Sequence, residues 1–360
     1  MSTRLSKGGR LINRSKPVEF SFDGKRLNGY EGDTLASALL ANNQTLVGRS
    51  FKYHRPRGIV ASGPEEPNAL VGLCKGDKFE PNQRATTTEL FDGLHSNSRN
   101  AWPSLAFDIG GVNRIMSRVF PAGFYYKTFI FPRFAWKHIF EPIIRKAAGL
   151  GAAPTEKDAD KYEYFYAHVD VLIIGGGTSG LAAALEVGRS GAKVLVLEQK
   201  NTWGGRAPVD GVLINNQISE EWIDDAMTEL QSMPNVTLKN RTMGAGVYDH
   251  GWATGYESIT DHMPGKKGPR QRLWRIRAKR ILTTTGAIER PLSFAGNDLP
   301  GVMLAGSVRD YLVDFGTSCG DIMVLATNND DAYRTAIKQS EVGLKVAAIL
   351  DARTSVTGEL

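Results

Sequence analysis

Cysteine is almost absent from these 360 residues: Cys74 and Cys319 are the only two. Two thiols so far apart supply neither a disulfide framework nor a metal-ligand spacing, so no metal site is expected and the compartment reads as reducing. Long apolar runs are missing too. No stretch approaches the roughly 18 consecutive apolar residues of a membrane span. The polar, basic opening Met1 to Arg10 has no apolar segment of the kind a signal peptide needs. The expectation is a cytoplasmic chain with no membrane contact. One-signed charge is also scarce, since 44 Lys+Arg stand against 38 Asp+Glu and leave a thin +6. That surplus suits an anionic cofactor or an acidic partner. No compact Lys/Arg block interleaved with aromatics marks a nucleic-acid footprint, so nucleic acid is not an expected partner. The six histidines are scattered, and no residue makes a convincing nucleophile or general base, so no catalytic residue is assigned. His250, in Tyr248-Asp249-His250-Gly251, is the one candidate to lie near a cofactor.

What is present is enough apolar material, 41% of residues, for two or three domains with real cores. Residues 1–16 read as a flexible basic tail. Val18, Phe20 and Phe22 then alternate with polar residues, which is strand periodicity. Asp23-Gly24 is a favoured two-residue hairpin turn, and a second strand runs through Leu27 towards Tyr30. Asp33 or Thr34 suits a helix N-cap ahead of Leu35, Ala38 and Leu39. Strand, hairpin, strand and helix in this order predict a small α+β module over residues 17–100.

Residues 49–72 are loop-rich and hold the densest basic cluster, Arg49 to Gly58, which reads as a solvated loop or as an anion or subunit contact. Residues 101–161 are a connector and linker: rich in aromatics and arginine from Trp102 to Phe140, broken by Pro121, Pro132 and Pro142, then Gly149-Leu150-Gly151-Ala152-Ala153-Pro154 and mostly charged residues to 161. The prolines spoil any long amphipathic face, so packing between domains or against a partner is expected over a membrane-surface helix.

A dinucleotide-binding domain is expected over residues 162–360, because residues 169–200 carry a full signature. The apolar run Val169 to Ile174 reads as a buried parallel strand. Gly175-x-Gly177-x-x-Gly180 follows at once, then a helix through Leu181, Ala184, Leu185 and Val187, then a second strand from Val194 to Leu197 closed by Glu198. Gly175 permits the tight turn, Gly177 lets backbone approach a pyrophosphate, and Gly180 lets helix and strand pack closely. The helix N-terminus turns free amides and a positive dipole end towards phosphate. Glu198 can accept both hydroxyls of an adenosine ribose, which suits NAD and FAD alike. A 2′-phosphate would meet a like charge, although Lys200 and Arg206 keep NADP open. Gly204-Gly205-Arg206 reads as a second backbone approach to the cofactor, and Thr285-Gly286-Ala287 as a strand-end return to the same edge.

A further βαβ unit is expected from Ile322 to Ala326, through the polar turn Asn328-Asn329-Asp330 and a helix holding Ala336 and Ile337, to a strand from Val346 to Leu350. Its turn lacks the three glycines, so it should not hold a pyrophosphate in the usual way. The chain ends soon after this strand, which reads as a dinucleotide domain truncated at its C-terminus and as a portion of a longer protein.

Several strings make the chain familiar: GYEGDTLASALLANN (29–43), GRSFKYHRPRG (48–58), EEPNAL (65–70), PAGFYYKTF (121–129), the GGGTSG turn, and TTTGAIERPLSFAGNDLPGVMLAG (283–306). With these the chain resembles the N-terminal part of the α-subunit family of heterotetrameric sarcosine oxidases. The resemblance implies an α+β, β-grasp domain like that of plant-type ferredoxins, then an α/β, Rossmann-type domain like that of glutathione reductase. Related amine and proline dehydrogenase subunits can hold a [2Fe–2S] cluster on four cysteines of the small domain. With only Cys74 there, no cluster is expected. The resemblance further implies NAD in this chain, contacted by Ser179, Glu198, Gln199, Lys200, Arg206 and Met243. In the whole complex it implies FAD on the β subunit, FMN at the α/β interface, small γ and δ subunits, and tetrahydrofolate on a C-terminal part these residues lack. The family reaction is oxidative demethylation of sarcosine to glycine with tetrahydrofolate and oxygen, giving hydrogen peroxide and 5,10-methylenetetrahydrofolate; this portion alone is expected to be inactive. Two other readings stay open: an FAD-dependent amine or proline dehydrogenase subunit with flavin at the glycine turn, and a ligand-free assembly module.

Overall fold

The computed structural model describes residues 2–118, 123, 129, 131–147 and 153–355. The aromatic string 121–129 lies outside them except for Gly123 and Phe129. Two compact units emerge: Met1–Ala159 together with Glu289–Leu360, and Asp160–Ile288.

In the first unit, β1 (Asn13–Phe22) and β2 (Lys25–Glu31) form an antiparallel hairpin. Asp23 and Gly24 both take positive φ, 49° and 79°, as the two-residue turn demands. Helix α1 (Leu35–Ala41) follows with a reciprocal cap: Ser37 N donates to Thr34 Oγ1 at 3.1 Å, and Thr34 N donates to Ser37 Oγ at 2.9 Å. All seven residues of this helix are buried. Strands β3 (Leu70–Leu73), β4 (Glu80–Arg84) and β5 (Leu94–Asn97) complete a sheet of order β2-β1-β5-β3-β4. The β1–β5 pair is parallel and the others are antiparallel. Phe20, Leu35, Leu39, Val71 and Leu94 fill the space between helix and sheet.

The second unit carries β6 (Tyr162–Ile174), α2 (Thr178–Arg189), β7 (Val194–Leu197), α3 (Ser219–Ser232) and β8 (Val236–Lys239). The strands β9 (Thr242–Tyr248), β10 (Trp252–Ser258) and β11 (Gln271–Thr283) follow. The sheet order is β8-β7-β6-β11-β10-β9. Four strands are parallel; β9, β10 and β11 form an antiparallel meander whose last strand runs on into the parallel sheet. Apolar side chains alternate across it. Ile173, Val194 and Val196 pack against α2 and α3, while Leu172, Leu195 and Leu197 face a second cluster with Trp274 and Ile276. Burial on both faces explains why these strands read as unbroken apolar runs.

The remainder of the first unit holds α4 (Ala305–Phe315), then β12 (Ile322–Thr327), α5 (Asp331–Glu341) and β13 (Lys345–Asp351), with β12 and β13 parallel. These residues group with the first sheet, not with the glycine turn as a continuous domain over 162–360 would require. The physical reason is α4, which sends Tyr311 and Phe315 into the core beside Phe20 and Leu39. Tyr311 Oη donates to the Ala61 carbonyl at 2.8 Å, which satisfies its buried hydroxyl.

The tail expected to be flexible is tied into the same core. Thr3 N donates to Ala41 O, Leu5 N to Gly316 O and Leu11 N to Asp314 O. The Arg4 guanidinium reaches Asp33 with both Nη atoms, at 2.6 and 3.0 Å. Asp33 is fully buried, and a buried carboxylate needs a partner; Arg4 supplies it.

Candidate dinucleotide site

The site is assembled where β6 ends. Gly175 takes φ +111°, and a Cβ there would lie 2.3 Å from the Thr284 carbonyl oxygen. Gly180 is hemmed in more tightly, since a Cβ would meet Gly175 O at 1.9 Å. Backbone conformation and internal packing therefore account for two of the three glycines. Gly177 is different. Its φ −73° and ψ −177° suit any residue, and a Cβ there would touch only Gly205 Cα, at an ordinary 3.8 Å. Among the described residues nothing demands glycine at this position, whereas a pyrophosphate laid across the turn would.

Gly177 is also the N-cap of α2, and among the described residues no side chain caps that end. The first-turn amides are thus left to an anion or to water. Glu198 sits buried at the end of β7, where its carboxylate accepts Gly176 N at 2.7 Å and Lys200 N at 2.8 Å. Each oxygen keeps a lone pair for a further donor such as a ribose hydroxyl. The loop after β7 folds back: Gly204 N donates to Gly176 O at 2.8 Å. Gly204 and Gly205 both have positive φ, +95° and +62°. Two glycine loops meet backbone to backbone beside an acidic strand end.

The residues singled out by sequence are placed as follows. Gly175, Gly177, Gly180, Glu198 and Gly205 converge on the turn. Ser179, in the first turn of α2, and Gln199 and Lys200, beyond β7, are exposed beside it. Arg206 follows the glycine pair and its guanidinium pairs with Asp210 at 3.3 Å. Met243 is exposed on β9, one residue beyond Thr242, whose N donates to Glu198 O at 2.8 Å. Gly286 is exposed three residues past β11, with φ +72° and no close neighbour. His250 caps the β9–β10 turn with φ +61°.

Three contributors escaped the sequence reading. Thr284 N donates to Ile174 O at 2.8 Å, and its Oγ1 donates to Gly175 O at 2.8 Å. Trp203 lies over Gly176, where a Cβ would come within 2.4 Å of the indole. Gly176 itself offers its amide to Glu198. The run of threonines before Gly286 and the tryptophan before the glycine pair were the available signals. Among the described residues no group of three or more His, Cys, Asp or Glu could hold a metal ion, and no helix is long and apolar enough to cross a membrane.

Comparison with known proteins agrees with this geometry. Residues 170–253 match a family described as FAD dependent oxidoreductase, and residues 15–101 one described as 2Fe-2S iron-sulfur cluster binding domain. The chain is 49% identical to sarcosine oxidase subunit alpha of Rhizobium meliloti (strain 1021), over 98% of this chain and 36% of that protein. It is 35% identical to the subunit of the same name from Corynebacterium sp. (strain P-1), over 96% of this chain and 31% of that protein. The chain belongs to the sarcosine oxidase alpha-subunit family. It spans about a third of the length of these relatives. Among solved structures, L-proline dehydrogenase from P. horikoshii superposes on 100% of this chain and 57% of its own, with TM-score 0.63 and 22% identity, which is a likeness of fold.

Proposed function

We propose that this chain is the dinucleotide-binding portion of the α subunit of a sarcosine oxidase, and that NAD lies across the Gly175–Gly180 turn. The observation that carries the reading is Gly177, a glycine with unremarkable backbone angles and an open Cβ direction next to a buried ribose-type carboxylate. When bound there, a nicotinamide dinucleotide supplies a hydride-accepting ring. The chain's own residues do the holding: α2 offers amides to the pyrophosphate, Glu198 receives the ribose hydroxyls, and Ser179, Gln199, Lys200, Arg206 and Met243 line the approach. Gly286 returns the chain to the same edge. The first sheet, with its parallel β1–β5 pair and covering helix, reads as a β-grasp domain, and the second unit as a Rossmann-type, glutathione-reductase-like domain. Cys74 is the single cysteine of residues 15–101, a donor set that does not fit a cluster held on four thiolates.

The whole enzyme would convert sarcosine, tetrahydrofolate and oxygen to glycine, 5,10-methylenetetrahydrofolate and hydrogen peroxide. This reading puts FAD on a β subunit, FMN at the α/β interface, tetrahydrofolate on further α-chain residues, γ and δ subunits alongside, and the assembly in the cytoplasm. Identity of 49% across nearly the whole chain supports it. A second reading, with FAD at the turn, is favoured by the description of the family matched over 170–253. Denaturing the purified chain and identifying released nucleotide by chromatography and mass spectrometry separates the two. NAD without flavin is the expected result. FAD would overturn the NAD assignment and move the active flavin into this chain. No nucleotide, together with no binding of added NAD or FAD by calorimetry, would overturn both.

A further inference from the structure

The β6–β11–β10 sheet balances its charges on one face and leaves two arginines without carboxylates on the other. On one face every strand contributes to a closed network: Arg272 pairs with Glu163 at 2.9 Å and Glu257 at 3.1 Å, Lys239 approaches Glu257 at 3.5 Å, and Trp274 Nε1 donates to Glu257 at 2.7 Å. The residues one step along each strand point the other way, and there no acid stands beside Arg275 or Arg277. Arg275 lies beside Tyr166, and Arg277 beside Trp252, which in turn lies beside Tyr248. The Arg275 guanidinium is 5.2 and 5.5 Å from the ring centres of Tyr164 and Tyr166, with Nη1 donating to Tyr166 Oη at 2.7 Å. The Arg277 guanidinium is 5.1 Å from the Trp252 ring and donates to His250 O at 2.8 Å. Among the described residues neither arginine has a carboxylate partner. The nearest acid–base pair of this face, Asp170 with Lys279, is already closed at 2.7 Å. Yet Tyr164, Tyr166 and Tyr248 are 63%, 61% and 58% exposed.

Aromatic rings with stacked arginines are the side chains that contribute most at protein interfaces, because they bury large rigid area at low entropic cost. Each guanidinium is held in place by its rings with part of its fork still undirected. We infer that this Tyr164/Tyr166/Arg275/Arg277 face docks another polypeptide of the assembled enzyme, one presenting carboxylates to the two arginines. Charge complementarity selects the occupant: the chain neutralises the opposite face itself and leaves this one two acids short. A nucleic acid fits less well. Tracking phosphates takes a row of undirected cations, and here Lys279 is paired and both arginines are partly committed to the protein. The inference rests on the reading of the chain as a subunit of a larger enzyme.

The test uses the full chain, tagged and expressed in its own source, beside the chain expressed alone. Tyrosine nitration by tetranitromethane, read by peptide mass spectrometry, should mark Tyr164 and Tyr166 in the lone chain and spare them in the assembly. Arg275→Glu with Arg277→Glu should reduce assembly, followed by gel filtration, at least about ten-fold while leaving the thermal melt in place. Asp224→Lys, on the exposed side of α3, should change neither. An assembly that forms with both tyrosines still nitrated, or that tolerates the double charge reversal, overturns the docking face and leaves the subunit reading standing. No assembly at all overturns both. Binding of a fluorescein-labelled single-stranded oligonucleotide at about 150 mM salt, abolished by the double variant while assembly is unaffected, replaces a protein occupant by a nucleic acid.

Discussion

The hydroxyl of Thr284 donates to the carbonyl oxygen of Gly175 at 2.8 Å, joining residues 109 positions apart in sequence. The same Oγ1 also reaches Ile174 O at 3.1 Å, and the backbone N of Thr284 donates to that carbonyl at 2.8 Å. The end of the meander thus fixes the shape of the turn before any ligand arrives. Pre-organisation of this kind lowers the ordering cost of binding. Thr284→Val keeps the shape and removes one neutral hydrogen bond worth about 1 kcal/mol, so NAD affinity by calorimetry should fall about five-fold. Thr284→Ser should restore most of it. Equal affinity for all three would show that the turn is set without this hydroxyl.

The three glycines of the turn should separate by mutation. Gly180→Ala forces a methyl to within 1.9 Å of a backbone oxygen, an overpacking that costs about 2 kcal/mol or more and lowers the melting temperature. Gly177→Ala meets no such contact and takes allowed backbone angles. Its stability should stay within about 1 kcal/mol of the parent, while dinucleotide affinity drops at least about ten-fold through a clash with the pyrophosphate. Retention of full affinity in Gly177→Ala would remove the main support for a ligand at this turn.

The contrast also shows what the sequence could reveal. Residues 169–200 were legible because the signals are local: a doubly buried strand, three glycines at fixed spacing, a helix, and an acid at the next strand end. The hairpin at Asp23-Gly24 and the Thr34 cap were legible for the same reason. The meander was not, because β9 and β10 hold several glycines and exposed aromatics, so their alternation is blurred. Nor was the extension of β6 back to Tyr162, where Tyr164, Phe165 and Tyr166 are all exposed and no apolar face shows. The grouping of 289–360 with the first sheet depends on Tyr311 and Phe315 meeting a core built some 270 residues earlier, Phe315 beside Leu39 being a separation of 276. No local pattern encodes such a contact.

The N-terminal arm should prove structural. Arg4 is 8% exposed and its partner Asp33 0%. Arg4 also donates to Phe315 O at 2.5 Å, so a single guanidinium links α4 to the α1 cap. Removing one member of a buried pair leaves a desolvated charge and costs about 3 kcal/mol or more. Arg4→Ala should therefore lower the urea midpoint, and Asp33→Asn added to it should recover part of the loss. A silent Arg4→Ala would show that the arm is dispensable.

Alkaline pH should weaken the same unit through two desolvated acids, the buried Tyr311 and the partly buried Cys319. Burial pushes the Cys319 thiol up to about 12, and burial first, with Glu66 second, pushes the Tyr311 phenol well above its usual value. Both are neutral when folded and ionise more readily when unfolded. Their folded values are raised, so the stability they contribute is complete below the unfolded thiol value of about 8.5 and is lost as pH climbs from there towards 12. Cys319→Ala removes one of the two titrations. Denaturation free energies of parent and variant should run parallel up to about pH 8.5 and then converge or cross, the parent falling more steeply by at most about 1.4 kcal/mol per pH unit. Parallel curves through pH 10.5 would mean that the Cys319 thiol ionises as easily in the folded chain as in the unfolded one, against its desolvation at the edge of the first core.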